Sequence, residues 1–567
     1  MPRSILLIAL LASMSLSACN GSSGGSSTSS DGAAGSGTSG NTGANNTGGS
    51  QSGNTGTTSQ ADTTSWLRGF VQSFDMTAVQ AVRNSSAFQN ATKSYILTSD
   101  SNGNPDYASG KTVLNDNPLL EARVDYAHSV GLTGQGQTIA MIDDGIRLTH
   151  DQFDGKTITV VGTSTSSTHG TKTAAIAAGN GGNGGTIGVA PNADIFMGQM
   201  DFTTAMDWSE AASYFNQAAD LHAIVSSNSW GTPDLTLANT NMTSYFSSGS
   251  SGDYLTAQRN FAKSGIIVFA MSNDYSATSA MATAGMAVAF PDLEPSFLSV
   301  INVIPKYTED RITSGDRISS ACLETAAYCI DANGQFYGAD NSADNAYSLG
   351  SGTSFATPQV AGAIALLAEA FPDLTPQQLR NRLLATADNS WFTTTHKVDF
   401  GDGVTHGYND EFGHGFLDLR DALLPIGSTT IATNSSGASI IAGRAVVSGG
   451  ALSGGAAAIS LASSKVAAID SMSGTFYASA KILATDPTIP GDGRADILRK
   501  TYACSDMANI RGNMSLAVRG GGTYRSADSL GGAREAMVRA GVSEKNIARG
   551  SDFSLGTLNQ GRGIAFS

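Results

Sequence analysis

Basic residues are scarce in this chain. Its 567 residues include 32 Lys and Arg against 47 Asp and Glu, which gives a formal net charge of −15 and a charged fraction of 14%. A protein that binds nucleic acid neutralises phosphates with clustered Lys and Arg, so this composition excludes nucleic acid as a partner. The length exceeds that of one average domain and allows a large core with additional segments.

The apolar run near the N-terminus is too short to cross a bilayer. It occupies residues 5–16 and follows Arg3, which is the arrangement of a secretory signal, so we predict a signal peptide over residues 1–18. The sequence Leu-Ser-Ala-Cys at its end resembles the lipobox of bacterial lipoproteins. The resemblance implies cleavage before Cys19, acylation of that residue and a membrane partner through the lipid anchor. Asn20 then favours the outer membrane or cell surface, from which proteolysis could release the protein.

The segment that follows lacks the side chains that form a core. Residues 19–62 contain no aromatic and no branched aliphatic side chain, so nothing offsets the entropy of ordering them. We predict a flexible Gly/Ser/Thr/Asn-rich tether with a reach of about 35 Å. Residues 63–115 contain Trp66, Phe70 and Phe74, and the sequence leaves open whether they form a propeptide or an arm packed on the next domain.

From residue 116 to residue 427 the chain alternates between two patterns. Short apolar segments that end in polar turns occupy 137–143, 193–200, 222–229 and 265–273. Helical segments lie between them, at 169–179, 204–221 and 252–265. This alternation predicts an α/β domain with a mainly parallel sheet covered on both faces. A functional site in such a sheet lies beyond the carboxyl ends of the strands.

Three polar segments are expected to meet at that edge. Asp143 ends the first apolar strand. His169 opens a helix, with Thr168 predicted as its N-cap. Ser354 begins another helix, with Pro358 expected in the first turn, where proline is tolerated.

These residue types can carry out nucleophilic catalysis together. A serine hydroxyl attacks only when a base takes its proton, and a buried carboxylate holds the imidazole base in the required tautomer. The backbone amide of Ser354 and the side-chain amide of Asn273 are candidate donors to an oxyanion. We interpret Ser351 and Thr353, which precede Ser354, as turn and capping groups.

The same residues carry a family resemblance. The motifs are I-D-D-G, H-G-T, S-N-S-W-G, A-M-S-N and G-T-S-F-A-T-P, in that order. The region 116–427 resembles the subtilisin-like serine peptidases, or subtilases, which implies their three-layer α/β fold and endopeptidase activity. Position by position, the resemblance makes Asp143 the triad acid, His169 the base, Ser354 the nucleophile and Asn273 the oxyanion donor.

The resemblance also concerns the substrate. Ser229, Trp230 and Gly231 are similar to the edge segment that pairs with an extended peptide backbone, which implies binding of a protein or peptide substrate. Two positions depart from the usual family pattern. Asp144 follows the triad acid where Ser or Thr is usual. Ser272, with Met271 before it, precedes Asn273 where Gly is usual. Ser272 and Met271 are expected near the primary specificity pocket, so its shape is left open.

A subgroup resemblance concerns the surrounding segments. A-R-V-D-Y-A-H-S-V-G-L-T-G-Q-G-Q-T-I-A-M-I-D-D-G-I and E-F-G-H-G-F-L-D-L-R-D-A-L-L-P-I-G resemble passenger domains of bacterial autotransporters, several of which are lipoproteins. This resemblance implies a disulfide between Cys322 and Cys329 and leaves Cys504 unpaired. Residues 428–567 hold six aromatic residues and no Trp and lack repeated ten-residue alternation, so we expect a linker or accessory region there.

No metal or cofactor is required by this chemistry. Acidic residues gather at Asp399, Asp402, Asp410 and Glu411, but their spacing is not that of an EF-hand, and turn chemistry is the preferred interpretation. Subtilases often bind structural calcium. The resemblance therefore allows a structural calcium ion, but the sequence assigns no site to it.

The sequence therefore predicts a monomeric serine endopeptidase anchored at a bacterial surface. Two alternatives stay open at this point. One is a maturation protease with narrow specificity for other surface proteins. The other is a surface adhesin on a catalytically inactive subtilase scaffold.

Overall fold

A computed structural model shows how the chain folds. It describes the following residues, and the statements below concern these alone: 74–99, 105–106, 112–163, 166–182, 184–203, 206–428, 430–432, 439–441, 465–479, 508–510, 514–519 and 563–566. The predicted signal peptide, the tether, Cys19 and Cys504 lie outside the described residues. No helix in the described part of the chain combines the length and the apolar character needed to cross a membrane.

A mainly parallel sheet forms the centre of the fold. Its strands are β4 (Thr138–Asp143), β5 (Ile158–Gly162), β6 (Asp194–Gln199), β7 (Val225–Asn228), β8 (Ile266–Ala270), β9 (Phe297–Tyr307), β10 (Ile312–Arg317) and β11 (Cys329–Ala332). The order is β10-β9-β8-β7-β4-β6-β5, with β11 also paired to β9. Only the β9–β10 pair is antiparallel. The predicted three-layer α/β fold is confirmed.

Helices cover both faces of this sheet. The α-helices are α1 (Met76–Arg83), α2 (Ser86–Gln89), α3 (Pro118–Glu121), α4 (Val124–Ser129), α5 (Thr168–Ala178), α6 (Trp208–Asp220), α7 (Met242–Tyr245), α8 (Gly249–Phe261), α9 (Met286–Ala289), α10 (Thr353–Ala370), α11 (Pro376–Thr386) and α12 (Leu419–Leu423). Short 3-10 helices occupy Asp151–Phe153, Glu294–Ser296 and Leu323–Tyr328. Helices α5 and α10 pack in one core, and α6 and α8 pack in the other.

Strand β4 shows why the sheet is buried on both sides. Successive side chains of a strand point to opposite faces. Ile139 and Met141 enter the core that contains α5 and α10, whereas Ala140 and Ile142 enter the core that contains α6 and α8. A continuous apolar run therefore packs against the helices on both faces of the sheet. The last residue of the strand, Asp143, lies at the carboxyl edge of the sheet.

The remaining strands form small antiparallel units. They are β1 (Lys93–Ser99), β2 (Pro105–Asp106), β3 (Thr112–Asp116), β12 (Gln335–Asp340), β13 (Ala346–Ser351), β14 (His396–Gly401), β15 (Val404–Tyr408), β16 (Thr430–Ala432), β17 (Ser439–Ile441), β18 (Lys465–Ile469), β19 (Thr475–Ser479), β20 (Ala508–Ile510), β21 (Met514–Arg519) and β22 (Gly563–Phe566). The β12–β13 hairpin matters most for function because β13 leads directly into helix α10. Cys322 and Cys329 form a disulfide beside the start of β11.

The segment before residue 116 contributes to the core of the domain. Val79 in α1 and Phe88 in α2 are fully or almost fully buried among the residues that pack against α5 and α10. Arg83 donates hydrogen bonds to Asp125 and to Glu309, which lie in two different parts of the domain. A propeptide and a permanent arm can both pack in this way, so the two sequence interpretations stay open.

The packed unit also continues beyond residue 427, where the sequence placed its boundary. Hairpin β18–β19 lies against α11, and Phe476 is almost fully buried in the core. Asp470 in the turn of this hairpin binds Arg382 of α11 at 2.6 Å, and both side chains are fully buried. The sequence signal was weak because these residues lie within a Gly/Ala/Ser-rich region.

Candidate active site

Asp143 is held at the carboxyl edge of the sheet by three hydrogen bonds. Its Oδ1 accepts from Nδ1 of His169 at 2.7 Å and from the backbone amide of Asp144 at 2.8 Å. Its Oδ2 accepts from the hydroxyl of Thr173 at 2.9 Å. The side chain is almost fully buried, so these donors replace the water that it loses on folding.

His169 owes its position to the first turn of helix α5. Its N-cap is Ser167, whose hydroxyl accepts from the amide of Gly170, so the prediction of Thr168 as N-cap was wrong. The hydroxyl of Thr168 instead binds Asn341 on the β12–β13 hairpin. A side chain at Gly170 would collide with the backbone carbonyl of Gly145, so glycine allows the helix to approach the turn that follows Asp143.

Asp144 also accepts hydrogen bonds at the N-terminal end of helix α5. Its Oδ1 accepts from the amide of Gly170 at 2.9 Å and from the hydroxyl of Ser167. A carboxylate at this position is favoured by the unpaired amides and the dipole of the helix N-terminus. Burial, followed by the nearby charge of Asp143, raises the pKa of Asp144 to about 6. The departure from the usual family residue therefore adds a titratable group next to the candidate triad.

Burial and charge act in opposite directions on the Asp143–His169 pair. Burial alone raises the pKa of Asp143, but the charge and hydrogen bond of His169 outweigh it, and the net direction is downward. Burial lowers the pKa of His169, whereas Asp143 and Asp144 raise it, and the net direction is upward. The pair thus stabilises an ion pair of carboxylate and imidazolium, the state required of a base that has taken a proton.

Ser354 is the second residue of helix α10 and is linked to Ser229 twice. The hydroxyl of Ser354 donates to the carbonyl of Ser229 at 3.2 Å, and the hydroxyl of Ser229 donates to the carbonyl of Ser354 at 2.8 Å. Pro358 explains the second bond, because it has no N–H to donate to the carbonyl four residues earlier. Pro358 lies in the second turn of the helix and not in the predicted first turn.

The imidazole of His169 lies in the same site as Ser354. Its ring centroid is 5.6 Å from that of Phe355, the residue after Ser354. The Nε2 atom is buried and has no hydrogen-bond partner among the described residues. Catalytic hydrogen bonds are often loose before substrate binds, so this geometry is compatible with proton transfer from the Ser354 hydroxyl.

Asn273 lies against the start of the same helix. Its Oδ1 accepts from the amide of Thr353 at 2.9 Å and from the hydroxyl of Thr353 at 3.0 Å. These bonds orient the side-chain amide, so its NH₂ group is the end that can donate elsewhere. The capping interpretation of Ser351 and Thr353 was wrong, because the N-cap is Gly352, which has no side chain, and the first amide of the helix is instead bound by Asn273.

The predicted substrate edge follows strand β7. Ser229 is tied to Ser354, as described above. The Trp230 side chain is buried against Phe202 and Phe269 and can meet a substrate only through its backbone. Within the described ranges, the backbone of residues 229–231 forms no hydrogen bond with other backbone groups, which is the property expected of an edge that accepts an extended peptide.

The acidic side chains considered for calcium are engaged in local contacts. Asp399 accepts from the amide of Gly401, Asp410 contacts His396, and Glu411 contacts Arg317. Only the Asp399 contact lies within a turn, so turn chemistry stays a prediction for this group.

One group of three side chains in the described part of the chain is close enough to share a cation. It consists of Asp143, Asp144 and His169. Their facing atoms already bind one another, Ser167 or Thr173.

Thr173 was not recognised from the sequence. It follows His169 by four residues, and side chains at this spacing share one face of a helix. Its hydroxyl donates to Asp143 from that face. The spacing was a usable signal, but only the fold shows that both residues point toward the end of β4.

Comparison with known proteins matches the region that contains this site. Residues 134–415 match the family model described as the subtilase family. Subtilisin DY from Bacillus licheniformis is 29% identical over 277 residues, which cover 48% of this chain and 90% of that protein. An extracellular serine protease from Serratia marcescens is 26% identical over 373 residues, which cover 54% of this chain and 33% of that protein.

Solved structures include similar chains. The prenylagaramide maturation protease PagA matches with 21% identity and a TM-score of 0.40, over 54% of this chain and 98% of its own. Fervidolysin from Fervidobacterium pennivorans, a keratinolytic enzyme, matches with 20% identity and a TM-score of 0.40, over 61% of this chain and 54% of its own.

Proposed function

Residues 134–415 belong to the subtilase family of serine peptidases, and from this premise we propose that Asp143, His169 and Ser354 form a catalytic triad for protein or peptide cleavage. The observation that carries the proposal is the buried 2.7 Å hydrogen bond between Asp143 and His169, next to helix α10, whose second residue is Ser354. An Asp–His pair in this arrangement prepares a base for a serine hydroxyl.

The reaction begins when the hydroxyl of Ser354 attacks the carbonyl carbon of the scissile peptide bond. His169 takes the hydroxyl proton through Nε2, while Asp143 holds Nδ1 and stabilises the imidazolium. The tetrahedral intermediate carries negative charge on the former carbonyl oxygen. His169 then gives its proton to the leaving amine, and an acyl-enzyme on Ser354 results.

The negative charge of the intermediate is expected to meet two donors. One is the backbone amide of Ser354 in the first turn of α10, where the helix dipole is favourable. The other is the side-chain NH₂ of Asn273, whose opposite end is fixed by Thr353. A water molecule then attacks the ester with His169 as base, and the second product leaves.

The substrate is expected to bind as an extended strand. Residues 229–231 offer backbone groups beside Ser354, and an added peptide strand could pair with them. Such binding favours unfolded segments or exposed loops of a protein over folded elements.

Active-site labelling tests this proposal. We expect a fluorophosphonate to label the full-length protein on Ser354, because only an activated hydroxyl reacts rapidly with it. Labelling should vanish in Ser354→Ala and persist in Ser351→Ala, and the labelled peptide is identified by mass spectrometry. A folded protein that is not labelled, beside a protease that is, would refute the triad and favour the inactive adhesin. Cleavage of a peptide library would then separate broad specificity from that of a narrow maturation protease.

We also propose that the peptidase acts at a bacterial surface, held by acyl chains on Cys19. The support is the signal-like run over 5–16 and the lipobox-like sequence that ends at Cys19. Buried acyl chains contribute about 0.8 kcal/mol for each CH₂ group, so several chains anchor a protein stably.

Metabolic labelling tests the anchor. In a bacterial host with outer membranes, an alkyne analogue of palmitate should label the wild-type protein, and the protein should fractionate with membranes. Cys19→Ala should lose both properties, while Cys504→Ala should retain them. Equal labelling of wild type and Cys19→Ala would show that the proposed anchor is wrong.

A further inference from the structure

A buried lysine lies one helical turn after His169. Lys172 is almost fully buried, and its Nζ donates to both the carbonyl and the hydroxyl of Ser348, each at 2.7 Å. The hydroxyl of Ser348 in turn donates to Asp340 at 2.7 Å. A buried ammonium is costly unless it is paired or hydrogen-bonded. Here the ammonium donates its hydrogen bonds to Ser348 of strand β13, which leads to Ser354.

The aromatic ring next to the nucleophile lies between these groups. Phe355 is 5.6 Å from the His169 ring and 5.6 Å from Nζ of Lys172. A side chain at Gly350 in β13 would collide with the Phe355 ring, so glycine allows the strand to close over it. His169, Lys172, β13 and the start of α10 therefore form one packed group around Phe355.

We propose that Lys172 is a positioning residue for the peptidase reaction, which ties the helix that carries His169 to the strand that delivers Ser354. This inference rests on the proposed roles of His169 and Ser354. Without the bonds from Lys172 to Ser348, helix α5 and strand β13 could shift relative to each other. A misplacement of about 1 Å between reacting groups can lower a rate by about 100-fold.

The charge of Lys172 has a second consequence. Lys172 lowers the pKa of His169, against the larger upward effects of Asp143 and Asp144. Burial, opposed by Asp340, lowers the pKa of Lys172 to about 8, so the ammonium is charged at pH 6. Its positive charge therefore keeps more of His169 in the neutral form that acts as a base.

Three other elements packed against α5 each hold one acidic residue, and each of these is engaged elsewhere. On strand β12 it is Asp340, which accepts from Ser348 and acts on Lys172. Strand β6 has one acidic residue, Asp194, which acts on Lys156. Helix α10 has one acidic residue, Glu369, which accepts from the amides of Thr133 and Gly134. The charged groups that govern the imidazole are thus Asp143, Asp144 and Lys172.

The rate constant for fluorophosphonate labelling of Ser354, measured from pH 5 to 9 on the full chain, tests this proposal. Lys172→Gln retains a donor for Ser348 but has no charge. Without that charge the pKa of His169 should rise, so the acid limb of the pH–rate profile should move to higher pH. We expect labelling at pH 6, relative to the plateau, to fall about threefold or more. Lys172→Met also loses the donor, so its plateau rate should fall about tenfold or more.

Two further variants provide controls. Asp144→Asn retains acceptors for Ser167 and Gly170 but removes the negative charge, so its acid limb should move to lower pH. Lys156→Met removes a half-buried lysine, whose Nζ donates to the carbonyl of Pro191, and should leave the profile unchanged.

The outcomes separate this inference from the proposed function. Absence of labelling in the wild type would refute the proposed triad itself. If the wild type is labelled but Lys172→Met keeps the wild-type plateau rate, the positioning role is wrong and Lys172 only supports the fold. If the profile of Lys172→Gln superimposes on that of the wild type, the effect of the Lys172 charge on His169 is wrong. If Lys172→Met does not fold, Ser348→Ala, which removes one of the two acceptors of Lys172, replaces it in the plateau measurement.

Discussion

Replacing His169 with alanine is expected to lower kcat for peptide hydrolysis by about 10⁶-fold, while the protein stays folded. The imidazole accepts the proton of Ser354 and later protonates the leaving amine, so both chemical steps lose their base and acid. Asp143→Asn should cost about 10⁴-fold, because an amide cannot accept at once from His169, Thr173 and the Asp144 amide. Hydrolysis of a fluorogenic peptide, chosen from the library profile, measures both effects.

A second His–Asp pair supplies the control for this prediction. His396 contacts Asp410 at 3.0 Å on the surface, with 46% and 72% of the two side chains exposed. His396→Ala should change kcat less than about twofold, because exposed pairs contribute little and this one is not at the site. A loss in His169→Ala of less than about tenfold, with unfolding unchanged, would contradict a base at position 169.

Removing one partner of the buried Arg382–Asp470 pair is expected to destabilise the protein by about 3–5 kcal/mol. Asp470 also accepts from the amides of Ile426, Met472 and Gly474, so Asp470→Ala leaves a buried guanidinium and three unpaired amides. The free energy of unfolding in urea measures the effect. Replacing both partners, as Arg382→Met with Asp470→Leu, should recover part of the loss, because no isolated charge is then buried.

An exposed pair of nearly the same length provides the comparison. Arg259 and Asp292 are 2.7 Å apart, but their side chains are 44% and 55% exposed. Asp292→Asn should cost about 1 kcal/mol or less. Equal losses of unfolding free energy in Asp292→Asn and Asp470→Ala would show that hairpin β18–β19 does not depend on the buried pair. The domain boundary would then lie near residue 427, as the sequence predicted.

The core elements could be predicted because their signals are local. The apolar run at 137–143 became strand β4 within one residue, and the helical pattern at 169–179 became α5 within one residue. The pattern at 204–221 was predicted to start four residues too early, because the helix starts only after the Asp207 cap. Cap geometry depends on the backbone before the helix, which periodicity does not report.

The candidate site could be predicted in its residue types but not in its contacts. Motifs around Asp143, His169 and Ser354 suggested a triad, and the fold brings the three segments to one edge of the sheet. The caps of α5 and α10 were assigned to the wrong residues, because several hydroxyl and carboxyl groups near each helix end compete for the same amides. Which group wins depends on neighbours from other segments.

The sequence by itself determined the α/β class and the chemistry available, because alternating apolar and helical patterns and short motifs are readable within about ten to twenty residues. Only the tertiary structure decided which distant groups meet. Ser229 and Ser354 are 125 residues apart, Lys172 and Ser348 are 176 apart, and Arg382 and Asp470 are 88 apart. Each contact depends on how strands and helices pack in three dimensions, and a local pattern contains no record of its distant partner.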